Sequence, residues 1–201
     1  MFDARTPVEV TITSGGKKSC VVRFPTDEEW IRETRQIRTI KKSIGRGSTQ
    51  STVEGAEEAA AELFAAIRTE GDEPFDAAEA TRVLDRLRTA NEVDCRAEGD
   101  RFVITLDVFR ARVKLVLRTP LAKDVDRYGR TAMVSTTNTR KRQVEIQSNL
   151  KASADLFDSV FVSAEGYAEG CPVPIVHKDA ATSILIDVLD QASGDEIGPE
   201  A

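Results

Sequence analysis

An apolar alternation that changes phase in mid-chain constrains the fold of this sequence most. Its members occupy even positions first and odd positions afterwards: Phe102, Ile104, Leu106 and Val108, then Phe109, Ala111, Val113, Leu115 and Leu117. Alternation predicts a β-strand with one buried face, and a slip of one residue would turn that face towards solvent. We therefore predict a bulge or a sharp bend at Val108-Phe109.

Two β-hairpins follow from the same period of two. Alternating residues on either side of a Gly-Gly pair predict a hairpin over residues 7–13 and 18–24. A second hairpin, over residues 93–97 and 101–118, is predicted around a Glu-Gly-Asp turn.

Helix starts are indicated at Thr26, Ser51 and Asp76, because each of these capping residues precedes a glutamate by three positions. Apolar residues recur at helical spacing after each start. A fourth apolar stripe indicates a C-terminal helix. We therefore expect helices over residues 27–44, 52–68, 77–90 and 178–191.

The first two predicted helices should form an antiparallel helical hairpin. Gly45 and Gly47 separate them, and small alanine side chains in the second helix would face isoleucines in the first. The predicted fold class is therefore α+β. We expect a single domain over residues 1–192, from which a helical hairpin at 26–70 protrudes, followed by an acidic flexible tail at 193–201.

Charge is segregated along the chain, although the net charge is only −6. Residues 30–47 carry six basic residues and one acid, whereas residues 51–80 carry nine acids and one base. Such segregation is typical of solvated faces or of a surface that docks on a charged partner. The residues that we predict to bind a partner are the basic row Arg32, Arg35, Arg38, Lys42 and Arg46, and the loop residues Arg140, Lys141 and Arg142.

No catalytic, metal-binding or cofactor-binding residue is predicted, and we do not expect an enzyme. The chain has one histidine, His177, and three widely spaced cysteines, which do not suit a zinc site. Cys171, His177 and Asp179 are close in sequence, but catalytic triads are usually assembled from distant segments. We expect His177 to be a capping or packing residue. A thiol enzyme that uses Cys171 is the weakest alternative.

Nucleic-acid binding through the basic face of residues 27–46 is the main alternative to protein binding. Clusters of arginine and lysine are what phosphate contacts require. The acidic composition of the whole chain and the lack of aromatic residues among the basic ones argue against it. No segment is apolar and long enough to predict a membrane span or an export signal, and the cysteine usage favours a reducing compartment.

Two stretches of the chain resemble a known class of proteins. They are FPTDEEWIRETRQIRTIKKSIGRG with STVEGAEEAAAELFAAI, in residues 24–67, and YAEGCPVPIVHKDAATSILIDVL, in residues 167–189. Both are similar to small accessory proteins encoded among the tail genes of tailed bacteriophages and prophages, some of them tail assembly chaperones. The β-rich middle of the chain departs from the mostly helical chaperones.

The resemblance implies a non-enzymatic protein of phage tail morphogenesis, either an assembly chaperone or a minor tail structural protein. It implies other phage tail proteins or copies of this chain as partners. The corresponding location is the cytoplasm of the bacterial host during assembly, or the virion. It transfers no catalytic residues.

Overall fold

A computed structural model describes residues 1–13, 16–45, 48–71, 73–132, 135–139, 142–146 and 150–194. Within these residues the chain forms helices and antiparallel sheets, so the fold is α+β, as predicted. The helices are α1 (Asp27–Gln36), α2 (Ala56–Ile67), α3 (Ala77–Arg88), α4 (Ala122–Thr131), α5 (Leu150–Val160) and α6 (Ile175–Gly194). The strands are β1 (Val8–Thr13), β2 (Lys17–Val22), β3 (Arg38–Gly45), β4 (Ser48–Glu54), β5 (Arg68–Glu70), β6 (Ala90–Glu98), β7 (Arg101–Val108), β8 (Ala111–Arg118), β9 (Ser135–Thr139), β10 (Arg142–Ile146) and β11 (Phe161–Glu165).

The first sheet has the order β1-β2-β5 and contains the predicted N-terminal hairpin. Val10 lies opposite Cys20, and Val8 lies opposite Val22. The period-two pattern turns Val10, Ile12, Cys20 and Val22 into the core, where each is buried. This prediction is confirmed.

A second sheet has the order β11-β8-β7-β6 and contains the other predicted hairpin. The phase slip is a reversal of the chain, with Val108 opposite Ala111 and the intervening Arg110 at a φ of 55°. In this register an even position of β7 always faces an odd position of β8, such as Leu106 and Val113. The apolar face therefore stays buried across the slip. A break lies where it was predicted, but it is a tight turn, so the single strand predicted over residues 101–118 is wrong and the segment forms two strands, β7 and β8.

The predicted helical hairpin over residues 27–44 and 52–68 is wrong. Helix α1 starts at the predicted capping box but ends at Gln36, and α2 starts only at Ala56, after Gly55. The residues between them form β3 and β4, so Ser51 lies in a strand and caps no helix. Isoleucine, threonine and valine recur through this segment, and these β-branched residues favour strands over helices.

The third sheet, which we call the β-arm, consists of β3, β4, β9 and β10 in the order β4-β3-β10-β9. The sequence predicts an exposed loop over residues 128–143, and this is wrong where α4, β9 and β10 occupy parts of it. Among the described residues, no helix or strand outside the β-arm packs extensively against it. We call the remaining helices and strands the body.

Helices α5 and α6 complete the body. The C-terminal helix is longer than predicted and starts at Ile175, whose N–H donates to the Asp27 carboxylate in the first turn of α1 (2.9 Å). Helix α3 starts at the predicted capping box of Asp76 and Glu79. The core lies between the body sheets and helices and includes Trp30. Of the predicted tail, residues 195–201 lie outside the described residues.

Candidate interaction surface

The predicted basic row is divided between a helix and a strand. Arg32 and Arg35 occupy exposed positions on α1, whereas Arg38 is the exposed first residue of β3 and Lys42 lies further along that strand. The row therefore does not form one helical face. Outside the described residues lie Arg46, Arg140 and Lys141.

Two basic segments that are distant in sequence meet in the β-arm. Strand β10 pairs antiparallel with β3, so that Arg142 lies opposite Lys42 and Gln143 lies opposite Lys41. The Cα atoms of directly opposed residues in such a pair are about 4.5–5.5 Å apart. The register thus brings two of the predicted partner-binding residues, Lys42 and Arg142, side by side.

Both hairpins of the β-arm turn at the same end. Strand β3 ends at Gly45 before β4 returns, and β9 ends at Thr139 before β10 returns. The β3–β10 pair ends at Lys42 and Arg142, but β3 continues to Gly45, so Lys41 and Lys42 lie opposite Ser51 and Gln50 in the middle of β4. We call the end of the β3–β10 pair that carries Lys41, Lys42 and Arg142 the basic tip.

The opposite end of the β-arm joins the body at α1 and α2. Arg38 lies opposite Glu54, and Gly55 then leads into α2 with a φ of 82°. A Cβ atom at Gly55 would lie 2.7 Å from the carbonyl oxygen of Gln36, so only glycine fits this junction without a shift. The first turn of α2 exposes Glu57 and Glu58 beside this junction.

A small groove of about 190 Å³ separates α1 from α2. Arg32, Gln36 and Glu62 line it, and the Gln36 side-chain amide donates to the Glu62 carboxylate (3.0 Å). Arg32 therefore belongs to this groove, at the base of the β-arm, and not to the basic tip.

Two acidic residues of α1, Glu29 and Glu33, form ion pairs with arginines of the body. The Arg23 guanidinium donates to both carboxylate oxygens of Glu29 (2.7 and 2.5 Å), and it holds the pKa of Glu29 down at about 2. Buried Glu33 accepts a hydrogen bond from Arg88 (2.8 Å), whose guanidinium lies 4.8 Å from the centre of the Trp30 ring. These ion pairs orient α1 against the body.

His177 packs inside an aromatic cluster, as predicted. Its side chain is fully buried, its ring lies 4.8 Å from that of Phe2, and its Nδ1 is 3.1 Å from the hydroxyl oxygen of Tyr167. Its Nε2 is buried and has no hydrogen-bond partner among the described residues. Burial lowers the pKa of His177 to about 3, so the ring is neutral over the ordinary pH range.

Cys171 lines a groove of about 540 Å³ beside β11. Its sulfur accepts a hydrogen bond from the Ala4 N–H (3.4 Å). The groove also contains Lys178, whose amino group pairs with Asp158 (2.7 Å), and the stacked rings of Phe157 and Phe161. These contacts describe packing and charge pairing rather than an activated thiol, and His177 is not among the residues that line the groove.

Sequence reasoning missed Lys41 and the two strands that bring the basic segments together. The signal was present as a bias to serine, threonine and valine in residues 48–53 and 134–139. The polar strands carry no hydrophobic alternation, so the pattern that revealed β7 and β8 could not reveal them.

Comparison of the chain with protein-family models, with curated proteins and with solved structures finds no match. In the part of the chain that the structure describes, no helix has the length and apolar character needed to cross a bilayer.

Proposed function

We propose that this protein is a non-enzymatic interaction component of phage tail morphogenesis, acting as an assembly chaperone or a minor tail structural protein. The resemblance of residues 24–67 and 167–189 to proteins of phage tail regions motivates the class. The observation that carries the proposal is the β-arm, in which Lys42 and Arg142 lie side by side at the end remote from the body.

The β-arm has the properties of a surface for protein contact. It extends from the body, and the side chains of residues 51–54 are exposed in β4, including Val53 at 58%. Exposed strand edges bind other chains through backbone hydrogen bonds, and clustered charge steers the encounter. A partner with an acidic surface and an extended segment would fit both features.

The proposal is tested by reversing charge on the β-arm. The triple variant Arg38→Glu, Lys42→Glu, Arg142→Glu should lose binding to the phage tail protein that the wild type binds and should reduce the yield of assembled particles. A matched control with the same change in net charge is Arg82→Glu, Arg86→Glu, Arg101→Glu, at exposed positions of the body. The assays are a pull-down with purified tail proteins and counting of complete particles by electron microscopy.

We expect only the β-arm variant to lose both tail-protein binding and particle assembly. If the β-arm variant binds and assembles like the wild type, the β-arm is not the partner surface. If neither the wild type nor the control binds a tail protein, the assignment to tail assembly is wrong.

Nucleic-acid binding by the basic tip is the second candidate, because the register of β3 and β10 concentrates lysine and arginine at one end of a β-sheet. Strands of this kind can lie in a DNA groove. Three phosphate contacts would weaken binding roughly 40-fold between about 50 and 200 mM salt. Fluorescence anisotropy with a labelled duplex measures this slope, and a flat, weak signal at both salt concentrations rejects the candidate.

A further inference from the structure

The groove beside β11 has the size and lining of a site for a small molecule. Its volume of about 540 Å³ lies within the range of roughly 300–1,000 Å³ that is usual for ligand sites. Helix α5 contributes Phe157 and Asp158, strand β11 contributes Phe161, and helix α6 contributes Lys178. Most of the lining residues are apolar or aromatic, with a few polar side chains among them. Ligand sites typically combine these two kinds of residue.

An exposed aromatic ring lines the groove on β11. The rings of Phe157 and Phe161 are stacked, with their centres 5.2 Å apart and their planes at 30°. Phe157 is buried in the core, whereas Phe161 is 42% exposed. Aromatic rings attract one another at centre-to-centre distances of about 4.5–7 Å. The exposed part of Phe161 can therefore pack against a further planar ring.

Lys178 supplies a positive charge in the same groove. Its side chain is only 16% exposed, and its ammonium lies 2.7 Å from the Asp158 carboxylate. A lysine ammonium has three N–H donors, and among the described residues the Asp158 carboxylate is its one hydrogen-bond acceptor. Two donors of a mostly buried ammonium thus remain for an acceptor on a ligand.

The charge and the ring are close enough for one small molecule to contact both. The Lys178 ammonium lies 5.8 Å from the centre of the Phe157 ring, and that centre lies 5.2 Å from the centre of the Phe161 ring. The ammonium and the Phe161 ring therefore cannot be further apart than 11.0 Å, the sum of these two distances. A short chain suffices to join a ring packed against Phe161 to a carboxylate bound by Lys178.

We propose that the groove beside β11 binds a small aromatic carboxylate, whose ring packs against Phe161 and whose carboxylate accepts hydrogen bonds from Lys178. Such charge-assisted hydrogen bonds orient the carboxylate, and burial of the ring contributes apolar affinity. Asp158, whose side chain is 59% exposed, holds the ammonium in position. The groove belongs to the body, so this inference goes beyond the function proposed for the β-arm.

Other classes of small ligand fit the groove less well. An aromatic cation would be repelled by the Lys178 ammonium, and a neutral aromatic compound would leave the two remaining donors without a new acceptor. Glu169, the other acid among the lining residues, is exposed, so solvent and salt screen its effect on a bound carboxylate.

Cys171 reports on occupation of the groove. It lines the groove and is half-buried, whereas the equally half-buried Cys95 lies on β6, at the opposite edge of the sheet. The full chain is treated with iodoacetamide with and without 3-phenylpropionate, and mass spectrometry measures the alkylation rate of each cysteine. We expect the compound to slow alkylation of Cys171 several-fold and to leave Cys95 unchanged. Equal slowing at both cysteines, or none at Cys171, would overturn the proposal.

Two matched compounds separate the contributions of charge and ring. 3-Phenylpropanol keeps the ring and lacks the carboxylate, and propionate keeps the carboxylate and lacks the ring. Calorimetric titration should show that 3-phenylpropionate binds about tenfold or more tightly than either, because it alone makes both contacts. If 3-phenylpropanol binds as tightly as 3-phenylpropionate, Lys178 does not recognise the ligand and the proposal is wrong.

Variants of the full chain locate the two contacts. Lys178→Met should weaken binding of 3-phenylpropionate about tenfold, and Phe161→Leu should weaken it about threefold. The control Lys151→Met removes the same charge from an exposed position of α5 outside the groove and should bind like the wild type. Circular dichroism verifies that each variant folds, which we expect of Lys178→Met because Asp158 stays largely in solvent. Wild-type affinity in Lys178→Met, or equal weakening by Lys151→Met, would overturn the assignment.

Discussion

Two four-stranded antiparallel sheets of the molecule are stabilised by different interactions. They are the body sheet of β6, β7, β8 and β11, and the β-arm. In the body sheet, Ile104, Leu106 and Leu115 are completely buried against helices. In the β-arm, β9 reads Ser-Thr-Thr-Asn-Thr, and no helix packs extensively on any of its strands in the described part of the chain. Burial of apolar surface stabilises the first sheet, whereas Ile40 is the one buried side chain among those that the structure describes in the β-arm. The β-arm therefore relies more on backbone pairing.

Because of this difference, we expect stability and partner recognition to depend on different regions of the molecule. A region whose strands bury little apolar surface contributes little to the stability of the whole, so its side chains can vary with the partner. A region that contains the core cannot vary in this way. Substitutions in the body should therefore change stability, whereas substitutions in the β-arm should mainly change partner binding. We give the expected effects on stability from the largest to the smallest.

Trp30→Ala should cause the largest loss of stability. Trp30 is fully buried on α1, its ring lies 6.3 Å from that of Phe24, and Arg88 stacks on it. Removing such a side chain costs about 3–5 kcal/mol of unfolding free energy. Urea denaturation followed by circular dichroism measures the change, and a loss below about 1 kcal/mol would contradict the view that α1 anchors the body.

Acid should destabilise the body through His177. Its pKa is about 3 in the folded protein and 6.5 when the ring is solvated, so the unfolded chain binds the proton more tightly. The stabilisation is therefore complete above pH 6.5 and is lost as the pH falls towards 3, by about 1.4 kcal/mol per pH unit.

The interval between pH 6.5 and about 5.5 separates this effect from the carboxylates, because glutamates with the ordinary pKa of 4.5 are still mostly ionised there. Denaturation midpoints of the wild type should fall across the interval, and those of His177→Gln should change much less. Equal slopes for both proteins would show that His177 is not the group responsible.

Gly55→Ala should strain the junction between the two regions. Gly55 has a φ of 82°, and an added Cβ would lie 2.7 Å from the Gln36 carbonyl oxygen. The left-handed conformation alone costs an alanine about 1–2 kcal/mol, and the contact adds to this. Gly99→Ala is the matched control, since Gly99 has a φ of 66° with nothing within 4 Å of its added Cβ. Equal losses of stability would mean that the junction relaxes freely.

Val53→Ala should have the smallest effect. Val53 is 58% exposed in β4 of the β-arm, so its truncation should change the unfolding free energy by less than about 0.5 kcal/mol. Urea denaturation beside Trp30→Ala gives the direct comparison. A loss above about 1 kcal/mol would show that the β-arm is packed against the body after all.

Where apolar side chains are buried, the pattern of the sequence predicted the structure. The alternation from Phe102 to Leu117 predicted strand structure and a break at Val108-Phe109, although as one bent strand rather than as β7 and β8. The capping residues Thr26 and Asp76 located the starts of α1 and α3. These signals are local, because alternation and capping involve residues that are near in sequence. The same local rule failed at Ser51, where a capping pattern lies inside a strand.

The candidate surface was predicted only in part, because its geometry is not local. The sequence identified Lys42 and Arg142 as basic residues in two separate segments. Only the pairing of β3 with β10 places them opposite each other. Helical spacing of Trp30, Ile37 and Ile44 suggested one helix through Arg38, although that residue starts a strand.

The sequence by itself determined the α+β class, the two body hairpins and the segregation of charge, because burial pattern, turn residues and side-chain charge are properties of short segments. Tertiary structure alone decided that residues 38–45 and 48–54 form strands and that the first of these strands pairs with a segment about a hundred residues away. Backbone hydrogen bonds between the polar strands stabilise this pairing. They depend on which strand lies alongside and not on the side-chain pattern of either strand.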